Sequence, residues 1–442
     1  MFTTFRNAWK IAELRKKILF TVLILVIFRA GIALPVPFVN VSLIGSMITE
    51  NSGDVLGFMD FMSGGALSSA SVFALTVQPY INASIIMQLL GVAFPALDRM
   101  RKEGPEGQKK FNKITRMVGA ALAAVLGVGY YFLMRNTWNN DFTMNGVMYG
   151  PGSDLFSQIF SAVVIVSCFV AGAVLLMWLG EQIDTKGIGN GISMLIFAGI
   201  ISRSADLITT VKGSMERAAA GEPQIYIYLP IIAILALAAI VMVIVLNNAE
   251  RRIPIQYAKK VVGRKMYGGQ SSFFPIKVNM SGVMPIIFAS AITTIPATII
   301  RLFNPAADSF WGKTLHAMSI QGVGYAIIYG LLIVAFNYFY VAITYNPIEI
   351  ANNLKKNNGA IPGIRPGKPT SDFISKTISR VTLIGAIFLV VVAIGPILLG
   401  NLTGVGIQLG GTSLLIVVGV ALDTSRSLES FMLMRHHKGF LE

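Results

Sequence analysis

Ten long apolar runs limit what this chain can fold into. A helix needs about 20 apolar residues to cross the hydrocarbon core of a bilayer, and most of the runs approach that length. Only 13% of the 442 residues are charged, against roughly 25% in an average soluble domain. We therefore predict an all-α integral membrane protein with ten transmembrane helices. The runs are 18–34, 72–94, 117–134, 155–178, 187–202, 225–246, 282–302, 322–345, 381–400 and 403–422.

The distribution of Lys and Arg predicts how these spans are oriented. Alternate segments between the runs carry 29 of the 36 basic residues, the other segments carry 6, and Arg29 lies inside the first run. Basic loops stay on the cytoplasmic side of a membrane. We therefore expect an even number of spans with both termini in the cytoplasm.

The runs contain almost no groups for catalysis or ion coupling. Apart from Arg29 and the boundary residue Arg301, they lack Asp, Glu, His, Lys and Arg, which coupled carriers usually place within the membrane. The three histidines lie outside the runs, and Cys168 is the only cysteine. We expect no enzyme activity, no metal site and no cofactor. A secondary transporter with inverted repeats is the alternative, and it would need such intramembrane charges.

The stretch FMDFMSGGALSS at 58–69 is too short to cross a membrane and too apolar for an ordinary loop. Gly64 and Gly65 weaken a helix by about 1 kcal/mol each relative to alanine. The pattern is compatible with an interfacial amphipathic turn or with a marginally held half-helix that can move.

Five stretches together resemble the SecY family of protein-conducting channels. They are FMSGGALSSASVFAL (61–75), PYINASIIMQLL (79–90), MWLGEQIDTKGIGNGIS (177–193), NPIEIANNLKKNNGAIPGIRPGK (346–368) and GGTSLLIVVGVALD (410–423). The resemblance implies two pseudosymmetric halves around an hourglass pore, spans 1–5 in residues 1–202 and spans 6–10 in residues 203–442. It also implies a channel that passes unfolded secretory polypeptides across the bacterial plasma membrane and releases transmembrane segments laterally into lipid.

The resemblance further implies that 58–69 folds back as a short plug helix beneath a ring of aliphatic side chains. Apolar constrictions exclude water and ions by dewetting, although each ring residue is also compatible with ordinary core packing. The implied plug residues are Phe58, Met59, Phe61, Met62, Gly64 and Gly65. The implied ring residues are Val77, Ile81, Ile192, Ile196, Ile287 and Ile416.

Neutral polar residues on spans 2 and 7 match the family's lateral gate. Asn82 and Gln88 on span 2 are expected to face Thr293 and Thr294 on span 7. Pro79, Pro285 and Pro296 are expected to kink these spans, although polar residues in spans also serve ordinary helix–helix packing.

Two basic segments, 247–281 and 346–380, match the family's cytoplasmic docking face, although orientation alone also explains basic loops. The implied partners are the motor ATPase SecA, the ribosome with its polyanionic RNA, SecE and SecG subunits, signal peptides, translocating polypeptides and membrane lipids. The implied docking residues are Arg251, Arg252, Lys259, Lys260, Arg264, Lys265, Lys355, Lys356, Arg365 and Lys368.

Overall fold

The structure is a computed structural model, and it describes residues 6, 8–42, 44–45, 55–134, 155–220, 223–257, 260–262, 265–267, 271–302, 309–310, 323–403 and 411–438. The helices are α1 (Ala12–Ile32), α2 (Val55–Ser63), α3 (Gln78–Ala93), α4 (Pro95–Lys102), α5 (Pro105–Leu133), α6 (Leu155–Lys186), α7 (Gly191–Ser202), α8 (Ser204–Ala219), α9 (Ile225–Asn248), α10 (Met284–Leu302), α11 (Val323–Thr344), α12 (Pro347–Lys356), α13 (Lys368–Thr403) and α14 (Gly411–Lys438). The strands are β1 (Glu250–Tyr257), β2 (Lys260–Val262), β3 (Lys265–Tyr267), β4 (Ser271–Lys277) and β5 (Gly359–Ala360).

The predicted all-α membrane fold is confirmed, since each of the ten apolar runs overlaps a described helix. Five of the described helices, α5, α6, α9, α11 and α13, are individually long and apolar enough to cross a bilayer. The pair α3 and α4 makes a sixth candidate, although the two helices are bent by 111° at the break between them.

Several predicted boundaries are wrong. The second run begins at 72, but residues 72–77 form turns and α3 begins at Gln78. Pro79 therefore lies in the first turn of its helix, where proline has no intrahelical bond to break and causes no kink. Helix α13, which contains the ninth run, extends from Lys368 to Thr403, beyond both predicted ends at 381 and 400. Helix α14, which contains most of the tenth run, is described from Gly411.

The two basic segments share one small sheet. Strand β1 lies between β4 and β5, and both neighbours are antiparallel to it. Gln256 pairs with Ala360 and Tyr257 pairs with Gly359, so backbone hydrogen bonding joins the segments. A separate two-stranded hairpin of β2 and β3 extends from the first segment.

The main hydrophobic core lies at the centre of the helix assembly. Buried side chains from α1, α2, α3, α6, α7, α9, α10, α11, α13 and α14 contribute to one cluster. Long helices also present exposed apolar faces, such as Ile234 and Leu237 on α9. Because every backbone polar group of a spanning helix is satisfied internally, such faces are suited to contact lipid.

Candidate functional site

Helix α2 contains the first part of the predicted plug. It ends at Ser63 because Gly64 and Gly65 both adopt positive φ angles, +73° and +86°. The Gly65 N–H donates to the Asp60 carbonyl at 2.9 Å, which satisfies a free carbonyl at the helix end. The side chain of Phe61 is buried, and that of Met62 packs against the main core. Phe58 and Met59 lie on the helix, but their side chains fall outside the described set.

The turn after α2 lies directly against α7. A Cβ atom at Gly64 would be 2.7 Å from Ser202 Oγ and 3.0 Å from Gly199 Cα. A Cβ atom at Gly199 would lie 2.7 Å from the Met62 carbonyl oxygen. Glycine at both positions therefore allows the two backbones to approach closely.

Three charged residues that were not predicted as site residues join the plug segment to the end of α7. The Asp60 carboxylate is buried, forms an ion pair with Arg203, and accepts a hydrogen bond from the Ser68 N–H at 2.7 Å. Arg29 Nη1 donates to the Gly64 carbonyl at 2.9 Å. In the sequence, Asp60 stands out as an isolated charge inside an apolar stretch. The sequence does not identify Arg203 as its partner, because the two residues are 143 positions apart.

The six predicted ring residues lie in one region of the core. Five are buried members of the central cluster, and Ile192 packs against it from the side. Four of them, Val77, Ile81, Ile196 and Ile287, line a single cavity of about 40 Å³. Ile192 and Ile416 do not line this cavity, and Ile192 Cδ1 fills the space beside Gly180 of α6.

This small cavity lies against the plug segment and shares one lining residue with a second cavity. Met62 and Ser63 of the plug segment close one side of it. The second cavity has a volume of about 360 Å³, and Ile287 lines both cavities. Because each water needs about 10–15 Å³ of such space, the narrow cavity admits only a few waters and no polypeptide.

The wide cavity has a mixed polar and apolar lining that includes residues 274–277 of β4. Lys277, Asn279, Asp423 and Arg426 are among its lining residues. Burial raises the pKa of Asp423, and the positive charges of Arg426 and Lys277 partly oppose that shift. A wide, partly polar cavity next to a small, mainly apolar one is compatible with the passage of a polymer.

The predicted lateral gate contains α3 and α10, which contact each other. Asn82 and Thr293 are both buried. However, the Gln88 amide donates to Ser84 of its own helix at 3.1 Å, and the Thr293 hydroxyl donates to carbonyls of α10 at 3.0 Å. These hydrogen bonds lie within single helices, and the expected facing of the four gate residues stays a prediction. The side-chain oxygen of Asn82, Oδ1, is buried without a hydrogen-bond partner. The side chain of Thr294 lies outside the described set.

Eight of the ten predicted docking residues lie among the residues that the structure describes. Arg251, Arg252, Lys355, Lys356, Arg365 and Lys368 are exposed. Lys260 and Lys265 have their backbones in β2 and β3, and Lys259 and Arg264 lie outside the described residues. The loop bearing Arg365 is held by the Thr370 hydroxyl, which donates to the Arg365 carbonyl at 2.9 Å.

Fold and site together define a class, a multi-span membrane protein whose helices surround an apolar constriction. The family model described as SecY matches residues 71–425. The protein translocase subunit SecY of Thermotoga maritima is 43% identical, with 100% of this chain and 98% of that protein covered. The Mycobacterium bovis subunit is 40% identical, with both chains fully covered. The chain belongs to the SecY family, whose members are channel subunits and not enzymes.

Solved structures give the same fold. A structure described as "The structure of a protein conducting channel" has a TM-score of 0.64 at 19% identity, covering 94% of this chain and 92% of the other. A structure described as "Sec61 in the Canine ribosome-channel complex from the endoplasmic reticulum" has a TM-score of 0.60 at 18% identity, with the same coverage. The transporter alternative is not favoured.

Proposed function

We propose that this chain is the central pore-forming subunit of a bacterial Sec translocation channel. It passes unfolded polypeptides across the plasma membrane and releases transmembrane segments sideways into lipid. The observation that carries this proposal is the neck, where four of the predicted ring residues enclose about 40 Å³ directly against the plug segment. An aliphatic neck forms no directional bonds, so it can widen around any side chain and still exclude ions when idle.

Transmembrane segments leave the channel through the seam between α3 and α10. Intramembrane hydrogen bonds average about 0.6 kcal/mol, and a signal sequence gains about 0.3–0.6 kcal/mol per large apolar residue on entering lipid. The summed gain over its apolar core exceeds a few weak bonds. Signal peptides can therefore open the seam themselves.

Partners bind to the sheet and its basic loops, which lie with both termini on the cytoplasmic side of the membrane. The joining of two separate basic segments by β1 and β5 supports this, because it places Arg251 and Arg365 on one structural unit. The partners are SecA or the ribosome, and SecE- and SecG-type subunits complete the complex, with SecE clamping the halves 1–202 and 203–442. The energy comes from SecA or from chain elongation.

The test uses the reconstituted complex in vesicles with SecA, ATP and a secretory preprotein. Arg365→Glu should abolish motor-driven import because it reverses the charge of the exposed docking loop. Lys110→Glu, at an exposed position of α5 outside both docking segments, is the matched control and should import normally. Normal import by the Arg365 variant would overturn the docking assignment. Failure of the unaltered complex to import any preprotein would overturn the channel function.

A further inference from the structure

The plug segment contains one charged residue. Between Val55 and Val72 the only ionisable side chain is Asp60, and its side chain is only 2% exposed. A buried carboxylate is costly unless it is paired and hydrogen-bonded. Here Arg203 pairs with one oxygen, and the Ser68 N–H donates to the other at 2.7 Å. The charge is therefore tolerated because the segment rests against the end of α7.

Arg203 is positioned for this pairing by the fold. It follows the last residue of α7 and precedes α8, and its side chain is 21% exposed. Its guanidinium also lies 5.9 Å from the centroid of the Phe61 ring, within the range of a cation–π contact. One arginine thus contacts both a charged and an aromatic side chain of α2.

A second arginine holds the other end of the plug segment. Arg29 of α1 donates to the Gly64 carbonyl at 2.9 Å and to Ser202 Oγ at 3.3 Å. Ser202 Oγ in turn donates to the Gly199 carbonyl at 2.8 Å. An ionisable residue within a membrane span is a functional candidate by default, and this one bonds the turn that ends α2.

We propose that Asp60, Arg203 and Arg29 form an electrostatic latch that holds the plug segment in the neck of the idle channel. They are positioning residues, and they act on translocation through the occupancy of the plug position. This inference rests on the proposed function, since it takes α2 and its following turn as a movable plug. Displacing the plug breaks both arginine contacts together, so the latch stabilises only the seated position.

The latch also explains why α2 contains the charged residue Asp60, which apolar packing alone does not require. Phe61 and Met62 already supply the apolar surface that faces the core. A carboxylate among them adds no hydrophobic stabilisation, but it makes seating conditional on the arginine. In the displaced position Asp60 and Arg203 can both be hydrated, so the ion pair distinguishes the two positions of the segment.

The test measures spontaneous openings of the complete reconstituted channel in planar bilayers without substrate. Asp60→Asn and Arg203→Gln should each raise the opening frequency at least tenfold, because each removes the Asp60–Arg203 ion pair that holds the seated segment. The double variant should open less than the product of the two single effects predicts, because the partners are lost together. Arg203→Lys keeps the charge and should restore much of the closure. Lys212→Gln, at an exposed cation on α8, is the matched control and should behave as the unaltered channel.

A translocation assay separates this proposal from the proposed function. Each variant should still import a preprotein with an intact signal sequence, and Arg203→Gln should also import one with a defective signal. Unchanged opening in both single variants, or a double effect equal to the product of the singles, would overturn the latch. If Asp60→Asn does not assemble, the comparison of Arg203→Gln with Arg203→Lys decides the question. An unaltered complex that neither conducts with a signal peptide nor imports would instead overturn the channel function.

Discussion

Replacing Gly64 by alanine should displace the plug segment from the neck. The position has a φ of +73°, where a residue with a Cβ atom costs about 1–2 kcal/mol. The new Cβ would also lie 2.7 Å from Ser202 Oγ and 3.0 Å from Gly199 Cα, and such overpacking costs about 1–3 kcal/mol. The seated position is therefore destabilised by about 2–5 kcal/mol, or roughly 30-fold to several thousandfold in population.

Gly65 provides the matched control because its φ is also positive, but it does not lie against Ser202 and Gly199 of α7. Its φ is +86°, but an added Cβ would meet only Ser68 Oγ at 3.7 Å. Gly65→Ala should therefore cost only the conformational term of about 1–2 kcal/mol. The assay is the opening frequency of the substrate-free reconstituted channel in planar bilayers.

The comparison between the two alanine variants isolates the contact with α7. We expect Gly64→Ala to open at least several-fold more often than Gly65→Ala. Equal opening frequencies would show that the segment does not seat against Gly199 in the idle channel. Closure as tight as that of the unaltered channel in both variants would instead favour an interfacial turn with no gating role.

Three further changes test other parts of the site. Asn82→Leu removes a buried side-chain carbonyl that has no hydrogen-bond partner, which should stabilise the closed seam by about 1–3 kcal/mol. Disulfide crosslinking between cysteines placed on α3 and α10 should therefore increase, and unchanged crosslinking would contradict this. Ile287→Asn places an amide where the two cavities meet and should raise idle ion conductance at least tenfold, whereas Ile287→Val should not. Gly359→Val introduces a Cβ 3.0 Å from Tyr257 Cε1, which should separate β5 from β1. SecA-driven import should fall while idle conductance stays unchanged, and normal import would show that docking does not need the joined sheet.

The sequence predicts the helices well because hydropathy reports burial in lipid, but it predicts their ends poorly. Residues 72–77 are apolar except for Thr76 and mostly buried, yet they form turns, and Thr76 has a φ of +53°. Apolar composition cannot distinguish a buried turn from a helix, although Pro79 favours a helix start. Similarly, α14 continues to Lys438 beyond the last apolar residue of its run, since a helix need not end where the lipid does.

Contacts between residues far apart in the chain are the part of the site that the sequence does not predict. Asp60 and Arg203 are far apart in the chain, as are Tyr257 and Gly359, and one sequence carries no information on which residues meet. The predicted ring depended on family resemblance, because an aliphatic residue in a neck and one in a core look the same. The within-helix bonds of Gln88 and Thr293 arose because nearby groups of the same helix compete with partners across the seam.

The most direct test is to trap a polypeptide in the channel and ask what surrounds it. In a Cys168→Ser background, single cysteines are placed at Val77, Ile81, Ile196, Ile287 and Ile416, and a stalled preprotein carries one cysteine at mid-chain. We expect disulfide formation at these positions and none at Ile234 or Leu331, which lie on exposed apolar faces. Crosslinks that favour Ile234 and Leu331, or that miss the ring positions altogether, would contradict passage of the polymer through an aliphatic neck.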